Sequence, residues 1–236
     1  MNTHNFILGP VDTDSISICK PDGAPFTEEE MQSLLDEINS YFPEHIKYAD
    51  DGYFPRCVAL KAKNYILYDG KKIKIKGSSL KASTKSEALK EFTNKVIEIM
   101  IHIHDEKEMH NSIKKLYEQY VQEIMNITEI KRWSARKTLS STMIKSDRAN
   151  ETKVIDAIKG SDYREGDRFF VFYLPDDSLC LCENFNGEYN KVRLLKNLYD
   201  TITIFDTVLP VKELFLNYSL KRNLKILLDN PTISNV

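Results

Sequence analysis

Near its start the chain reads Phe6-Ile7-Leu8-Gly9-Pro10-Val11-Asp12-Thr13-Asp14-Ser15-Ile16-Ser17-Ile18. Apolar residues flank Asp-Thr-Asp-Ser on both sides and Gly9-Pro10 supplies turn chemistry just upstream, so the pattern predicts a strand hairpin with two carboxylates at or beside its bend. In extended backbone, side chains two apart share a face. Asp12 and Asp14 are then expected to point the same way and to meet one hard cation or flank two. A plain solvated acidic turn has the same composition, because Asp and Ser are ordinary turn residues. The rest of the chain has to decide between the two.

Charge is segregated along the sequence despite a net of −2. Between Asp22 and Asp51 the charged residues are carboxylates apart from Lys47, whereas from Arg56 to Lys85 they are cations apart from Asp69. A second basic stretch runs from Lys131 through Arg132, Arg136, Lys137, Lys145 and Arg148 to Lys153. Local basic surfaces of this kind suit a polyanion such as nucleic acid.

Residues 56–68 read as a strand, Asp69-Gly70 as a two-residue hairpin turn, and Lys71 to Lys76 as the returning strand. That turn pairs 68 with 71 and sets Tyr65 opposite Lys74 and Lys63 opposite Lys76. Lys61, Lys63, Tyr65, Lys72, Lys74 and Lys76 would then line one surface, with Ile66, Ile73 and Ile75 beneath. Like charges facing each other cost about 0.2–1 kcal/mol per pair, which a bound polyanion would offset. An edge strand kept soluble by lysines is the competing explanation.

Thr27 and Glu30 form a capping box ahead of Met31, Leu34, Leu35, Ile38 and Phe42 at helical spacing, predicting an amphipathic helix over 27–42. A longer helical tract is expected from Thr84, capped with Glu87, to about residue 126 with at least one break. The 236 residues, 42% hydrophobic and 29% charged, have an ordinary globular composition. No long apolar run and no leader pattern is present, so no membrane partner and a cytoplasmic, intracellular setting are expected, in a host cell if the source is viral. The four cysteines are too few and too irregular for a disulfide framework or a zinc site, with Cys180 and Cys182 reading as one face of a strand. His102 and His104, two apart in a helix, do not share a face. Neither a Ser/His/Asp arrangement nor a glycine-rich phosphate loop has a motif behind it.

Taken together, these residues resemble the C-terminal portion of family B DNA polymerases. That family carries Tyr-Gly-Asp-Thr-Asp-Ser in its palm, matched by Pro10-Val11-Asp12-Thr13-Asp14-Ser15. It then carries a Lys-Lys-Arg-Tyr segment, a short hairpin and a Lys-Ile-x-Gly strand end. These are matched by Lys61-Ala62-Lys63-Asn64-Tyr65, Tyr68-Asp69-Gly70 and Lys74-Ile75-Lys76-Gly77. Further on, Arg164 to Leu174 and the stretch from Tyr199 through Pro210 are similar to the family's thumb. Pro10-Val11 departs from the family by lacking a tyrosine that positions primer end or nucleotide. Asn64 lacks an arginine's charge. Both departures leave the carboxylates intact and mark a divergent polymerase of viral type.

The resemblance implies an α+β chain: an antiparallel palm sheet with packed helices over 1–100, then a mainly helical thumb with a small β segment over 101–236. It implies nucleotidyl transfer by two Mg²⁺ ions roughly 3.5–4 Å apart, with Asp14 as the principal metal ligand and Asp12 as a secondary one, both counted as catalytic. Ser15, Lys61, Lys63, Tyr65, Lys74 and Lys76 are the DNA contacts near the reaction. Arg132, Arg136, Lys137 and Arg148 are those of the thumb, where a solvated helical face is the alternative. Trp133 is expected to be a packing anchor. The family's other essential aspartate, its fingers and its exonuclease lie upstream of the signature, and Met1 stands close before it. The expectation is therefore a split polymerase, in which a larger N-terminal chain supplies those parts and shares the Mg²⁺ ions, primer-template DNA and dNTP. A catalytically silent, clamp-like DNA-binding thumb is the second reading.

Overall fold

The computed structural model describes residues 5–12, 14–78, 80 and 86–229; Thr13, Lys81, Lys85 and the helix start expected at Thr84 lie outside them. In chain order the elements are β1 (Ile7–Val11), β2 (Ile16–Cys19), α1 (Glu28–Ser40), β3 (Arg56–Lys61), β4 (Asn64–Tyr68) and β5 (Ile73–Lys76), then α2 (Glu87–His102) and α3 (Glu106–Met125). They continue with β6 (Ala135–Thr138), α4 (Ser141–Ile144), α5 (Ala149–Ile158), β7 (Arg168–Tyr173), β8 (Leu179–Leu181), α6 (Lys191–Ile202), α7 (Val211–Leu214) and α8 (Lys221–Asp229). The class is α+β, with three small antiparallel sheets in the orders β1-β2, β3-β4-β5 and β6-β7-β8 among the described residues. The chain divides into two compact units, Met1–Lys81 and Ala82–Val236. A boundary at residue 100 would fall inside α2, whose apolar stripe from Ala88 to Ile101 is buried within the second unit.

In the first unit, β1 and β2 pair Ile7 with Cys19, Leu8 with Ile18 and Val11 with Ile16, with an irregularity between Leu8 and Val11. Gly9-Pro10 is therefore a bulge inside a strand and not the turn expected of it. Proline has no N–H to give a ladder, and a bulge needs none. The bend moves to Asp12–Ser15, where the Asp12 N–H donates to the Ser15 carbonyl at 2.9 Å. The capping box at α1 forms as expected. Glu30 N–H donates to Thr27 Oγ1 at 3.2 Å and Thr27 N–H donates to Glu30 Oε2 at 2.8 Å.

The second sheet departs from the expected hairpin in two ways. The strand read over 56–68 is two strands, β3 and β4, joined at Ala62-Lys63, with Lys61 opposite Asn64 beyond a bulge. The turn after β4 spans four residues, so that Tyr65 faces Lys76, Leu67 faces Lys74 and Tyr68 faces Ile73. Asp69 sets that width. Its carboxylate accepts the N–H groups of Lys71 (2.8 Å) and Lys72 (2.7 Å), and its own N–H donates to the Lys72 carbonyl at 3.2 Å. The slip is of two residues, an even number, so the side chains paired between β4 and β5 keep their expected faces.

The second unit is built on α2 and α3, the helical tract expected with a break, together with α6. Ser86 caps α2 through its side chain. Phe92, Val96, Ile97, Ile113, Val121, Ile124, Leu195 and Leu198 are buried. Tyr117 ties the far end of the chain to this core by donating to the Leu216 carbonyl at 2.8 Å, and Tyr189 donates to the Ile124 carbonyl at 2.6 Å. Trp133 is buried and packs edge-on against Tyr120, with ring centroids 6.0 Å apart, as an anchor should. On one face of the third sheet, Phe169, Val171 and Leu181 pack against Val154 and Ile158 of α5.

Candidate functional site

Asp12 and Asp14 lie at the tip of the β1–β2 hairpin, Asp12 partly covered and Asp14 exposed. They share a bend and not a strand face, because the pairing ends at Val11 and Ile16. Lys63 of the neighbouring sheet brings its ammonium to 3.8 Å from Asp12 Oδ1. Its backbone is unusual for a residue with a side chain, with φ at 60°. The turn that holds it is closed by Asn64, which is buried and donates Nδ2 to the Ala62 carbonyl at 3.0 Å. Gly77, at φ 105°, backs onto the same turn. A Cβ there would stand 2.6 Å from the Lys63 carbonyl oxygen and from Asn64 Cγ. The side chain expected only as a missing charge, Asn64, thus builds the loop that presents Lys63. The Gly77 of the strand end is the residue that lets this loop sit against β5.

Lys74 and Lys76 share the face of Tyr65 and Leu67, as the preserved parity requires. Both lysines are exposed. Tyr65 and Leu67 are buried between them and β3 at 6% and 7% exposure, so Tyr65 offers little surface to a ligand. Lys74 places its ammonium 4.6 Å from the centroid of Phe54, a contact that no sequence pattern announced. Lys61 is exposed beyond the bulge and Lys63 is in the turn, so neither belongs to the Lys74/Lys76 row. The expected Lys63/Lys76 repulsion does not arise, since Lys76 faces Tyr65. Ser15 is exposed and closes the acidic bend through its carbonyl.

The four thumb candidates separate. Arg132 donates from Nη2 and Nε to Glu91 Oε2 (2.8 and 3.2 Å) and from Nη1 to Glu123 Oε1, which also accepts the Trp133 indole N–H at 2.8 Å. Its charge is met inside the unit. The Glu91 carboxyl is held below the usual carboxylate range by hydrogen bonds from Lys95 first and Arg132 second. Arg136 and Lys137 are on strand β6, not on a helix, and therefore on opposite faces, Arg136 exposed and Lys137 half-buried. Arg148 precedes α5, 83% exposed, with Nη1 4.0 Å from Glu151.

The metal donors are of the right kind for a hard cation, two carboxylates, but few. Among the described residues no group of three or more His, Cys, Asp or Glu could hold an ion. His102 is engaged through Nδ1 with the Glu98 carbonyl at 2.9 Å. Cys182 donates to Ser134 Oγ at 2.9 Å and stands outside strand β8, which ends at Leu181. A cavity of about 290 Å³ in the second unit, lined by Trp133, Phe172, Tyr189 and Arg193 among others, contains none of the carboxylates or lysines discussed above. No described helix is long and apolar enough to cross a membrane.

No protein-family model matches this chain, and no curated protein sequence matches it. In structure it is similar to the family B DNA polymerase of the hyperthermophilic archaeon Pyrobaculum calidifontis, with a TM-score of 0.63 and 15% sequence identity. The alignment covers 87% of this chain and 27% of that polymerase. The chain therefore spans little more than a quarter of the polymerase's length, and the likeness is one of fold.

Proposed function

We propose that this chain is a palm-and-thumb portion of a family B type DNA polymerase, active in nucleotidyl transfer when the remaining palm, the fingers and the exonuclease are supplied by another chain. One observation carries the reading. The acidic bend Asp12–Ser15 stands against Lys63 of a lysine-bearing sheet, on a fold similar to that of a polymerase over 87% of the chain. The first unit would contribute the acidic bend and the basic sheet of the palm, and the second unit the thumb. Primer-template DNA and dNTP would be the substrates.

Asp14 and, secondarily, Asp12 would hold Mg²⁺ by their carboxylate oxygens, the rest of the ligand set coming from the partner and the nucleotide phosphates. When bound, the metal activates the primer hydroxyl and stabilises the leaving pyrophosphate. The role of this chain's own residues is to fix the acidic bend on a hairpin and to set cations beside it. Lys63, Lys74 and Lys76 hold the DNA backbone without regard to sequence. Arg132 is left out of that set, because two carboxylates already neutralise it.

The test is Asp14→Ala in the complex reconstituted with its partner. Incorporation should be lost while DNA affinity is kept; unchanged incorporation removes the metal role. A catalytically silent DNA-binding module is the second reading, and the 3.8 Å contact of Lys63 with Asp12 favours it to the extent that Asp12 serves as a lysine's counter-ion. Co-purification from the native source separates the two, since the polymerase reading requires a partner carrying the missing carboxylate.

A further inference from the structure

The cavity of about 290 Å³ in the second unit has no part in the function proposed above. One wall is apolar: Leu89 of α2, Ile130 and Trp133 at the short helical turn Lys131–Trp133, and Val171 of β7, all buried. Another is α6, which contributes Arg193, Asn197 and Thr201 at a spacing of four residues, with Asp200 beside them. A helix that packs shut against an apolar wall carries apolar residues at such positions. This one carries an arginine, an amide and a hydroxyl, and the space stays open.

Two of these groups keep hydrogen-bonding capacity. Arg193 stands 3.5 Å over the Tyr173 ring and donates from Nη1 to Asp177 at 3.1 Å. Those contacts fix the guanidinium and leave its Nε and Nη2 donors without a partner among the described residues. The Asn197 side chain makes no hydrogen bond among the described residues, and its half-buried amide still reaches open space. Thr201, by contrast, gives its hydroxyl to the Asn197 carbonyl at 2.8 Å. Charge on this side of α6 is balanced in pairs, Arg193 with Asp177 and Lys196 with Asp200. A ligand with net charge of either sign would meet a group of its own sign; a neutral one would not.

We propose that this cavity binds a neutral planar heterocycle carrying a carbonyl and a ring N–H on one edge, that is, a lactam. The ring lies against Leu89, Ile130 and Val171, its carbonyl accepts from Arg193, and its N–H donates to Asn197 Oδ1. Arg193 and Asn197 are one turn apart on a helix face, about 5–6 Å, which suits two adjacent groups on a ring edge. The volume is at the small end of ligand pockets, about 300–1,000 Å³, and fits one or two fused rings. Ordered water is the competing occupant, since polar cavities commonly hold it. The proposal does not rest on the polymerase reading: all its residues belong to the second unit, and none to the acidic bend or the lysine-bearing sheet.

The experiment is calorimetric titration of the full chain with quinolin-2(1H)-one, with Trp133 emission reporting the place of binding, because the chain's one tryptophan lines the cavity. N-methylquinolin-2-one, which lacks the N–H, and naphthalene, which lacks both polar groups, are the comparison probes. The lactam should bind saturably, one per chain, with a change in Trp133 emission. It should bind about tenfold more tightly than either comparison probe, because each of those leaves a covered polar group unpaired. Asn197→Leu should erase the preference for the lactam over its N-methyl analogue and keep naphthalene binding, which shows that the cavity is still formed. Arg193→Ala, at a side chain 39% exposed, should weaken both carbonyl probes several-fold and leave naphthalene unchanged. Absence of saturable binding by the wild-type chain means that the cavity holds water alone, and overturns the proposal. Equal affinity for the lactam and naphthalene, or lactam affinity unchanged in both variants, overturns it as well.

Discussion

The two three-stranded sheets make an instructive pair. In each, the middle strand is the most buried: Asn64 to Leu67 in β4, and Phe169, Val171 and Phe172 in β7. In each, one face carries exposed cations around a largely covered aromatic ring, Lys74 and Lys76 about Tyr65 in the first and Arg136 and Arg168 about Phe170 in the second. They differ in what the cations touch. On the first sheet Lys74 lies on Phe54, and Lys63, in the β3–β4 turn, reaches Asp12. On the second sheet the arginines meet no carboxylate among the described residues. On the first sheet one cation, Lys63, is engaged by a carboxylate of the acidic bend and another, Lys74, by an aromatic ring.

The sharpest way to break the first sheet without touching its charges is Gly77→Ala. Left-handed backbone at φ 105° strains any side chain, and the new Cβ would meet the Lys63 carbonyl oxygen and Asn64 Cγ at 2.6 Å. A loss of about 2–4 kcal/mol is expected from strain and overlap together. Peptide-level hydrogen exchange should show residues 56–77 losing protection while peptides of α2 and α3 keep theirs. Gly70→Ala is the matched control. At φ 90° it is strained too, but nothing lies within 4 Å of its Cβ, so its cost should be about 1 kcal/mol.

In the second unit Arg132→Ala tests the division between cations that build and cations that bind. It leaves Glu91 and Glu123 facing each other's surroundings without their shared partner, and a loss of about 1–2 kcal/mol is expected because the guanidinium is 33% exposed. Trp133, the chain's one tryptophan, reports unfolding of this unit directly. DNA affinity should change less than about twofold; a large loss would move Arg132 back among the DNA contacts. The same network carries a pH signature. A carboxyl held below its ordinary value of 4.5 adds stability that is fully present above that pH and is lost as pH falls through the lowered value. The urea midpoint read from Trp133 should therefore drop below about pH 4.5 in wild type and drop less in Glu91→Gln.

Periodicity made the α1 capping box, the broken α2–α3 tract and the alternation of the lysine face legible in the sequence, because each depends on residues close in the chain. Turn geometry was less legible. Gly9-Pro10 has the composition of a turn but fills a bulge, and nothing local distinguishes the two until β2 pairs past it. Ala62-Lys63 lacks the Gly or Asn-Gly that announces a tight hairpin; the turn is made by the side chain of Asn64 and by Gly77, which lies across the sheet. Arg132 could not be sorted from Arg136 by sequence, since the carboxylates that occupy it come from α2 and α3. The acidic bend was legible as chemistry, whereas its contact with Lys63 depends on a turn that sequence did not show.

The smallest expected effect probes that contact. An exposed ion pair at 3.8 Å is worth less than about 1 kcal/mol, so Lys63→Ala should barely alter hydrogen exchange in the first unit. It should act on charge instead. Removing the ammonium leaves the acidic bend more negative, and Mn²⁺, as a paramagnetic substitute for Mg²⁺, should bind the chain a few-fold more tightly by electron paramagnetic resonance, while duplex affinity measured without metal falls a few-fold. Lys74, whose ammonium lies over Phe54 and has no carboxylate within ion-pair distance among the described residues, is the comparison: Lys74→Ala should lower duplex affinity without changing Mn²⁺ binding. If the two variants behaved alike in both measurements, Lys63 would be one more surface lysine, and the distinction between the turn-held cation and the sheet-face cations would have no functional content.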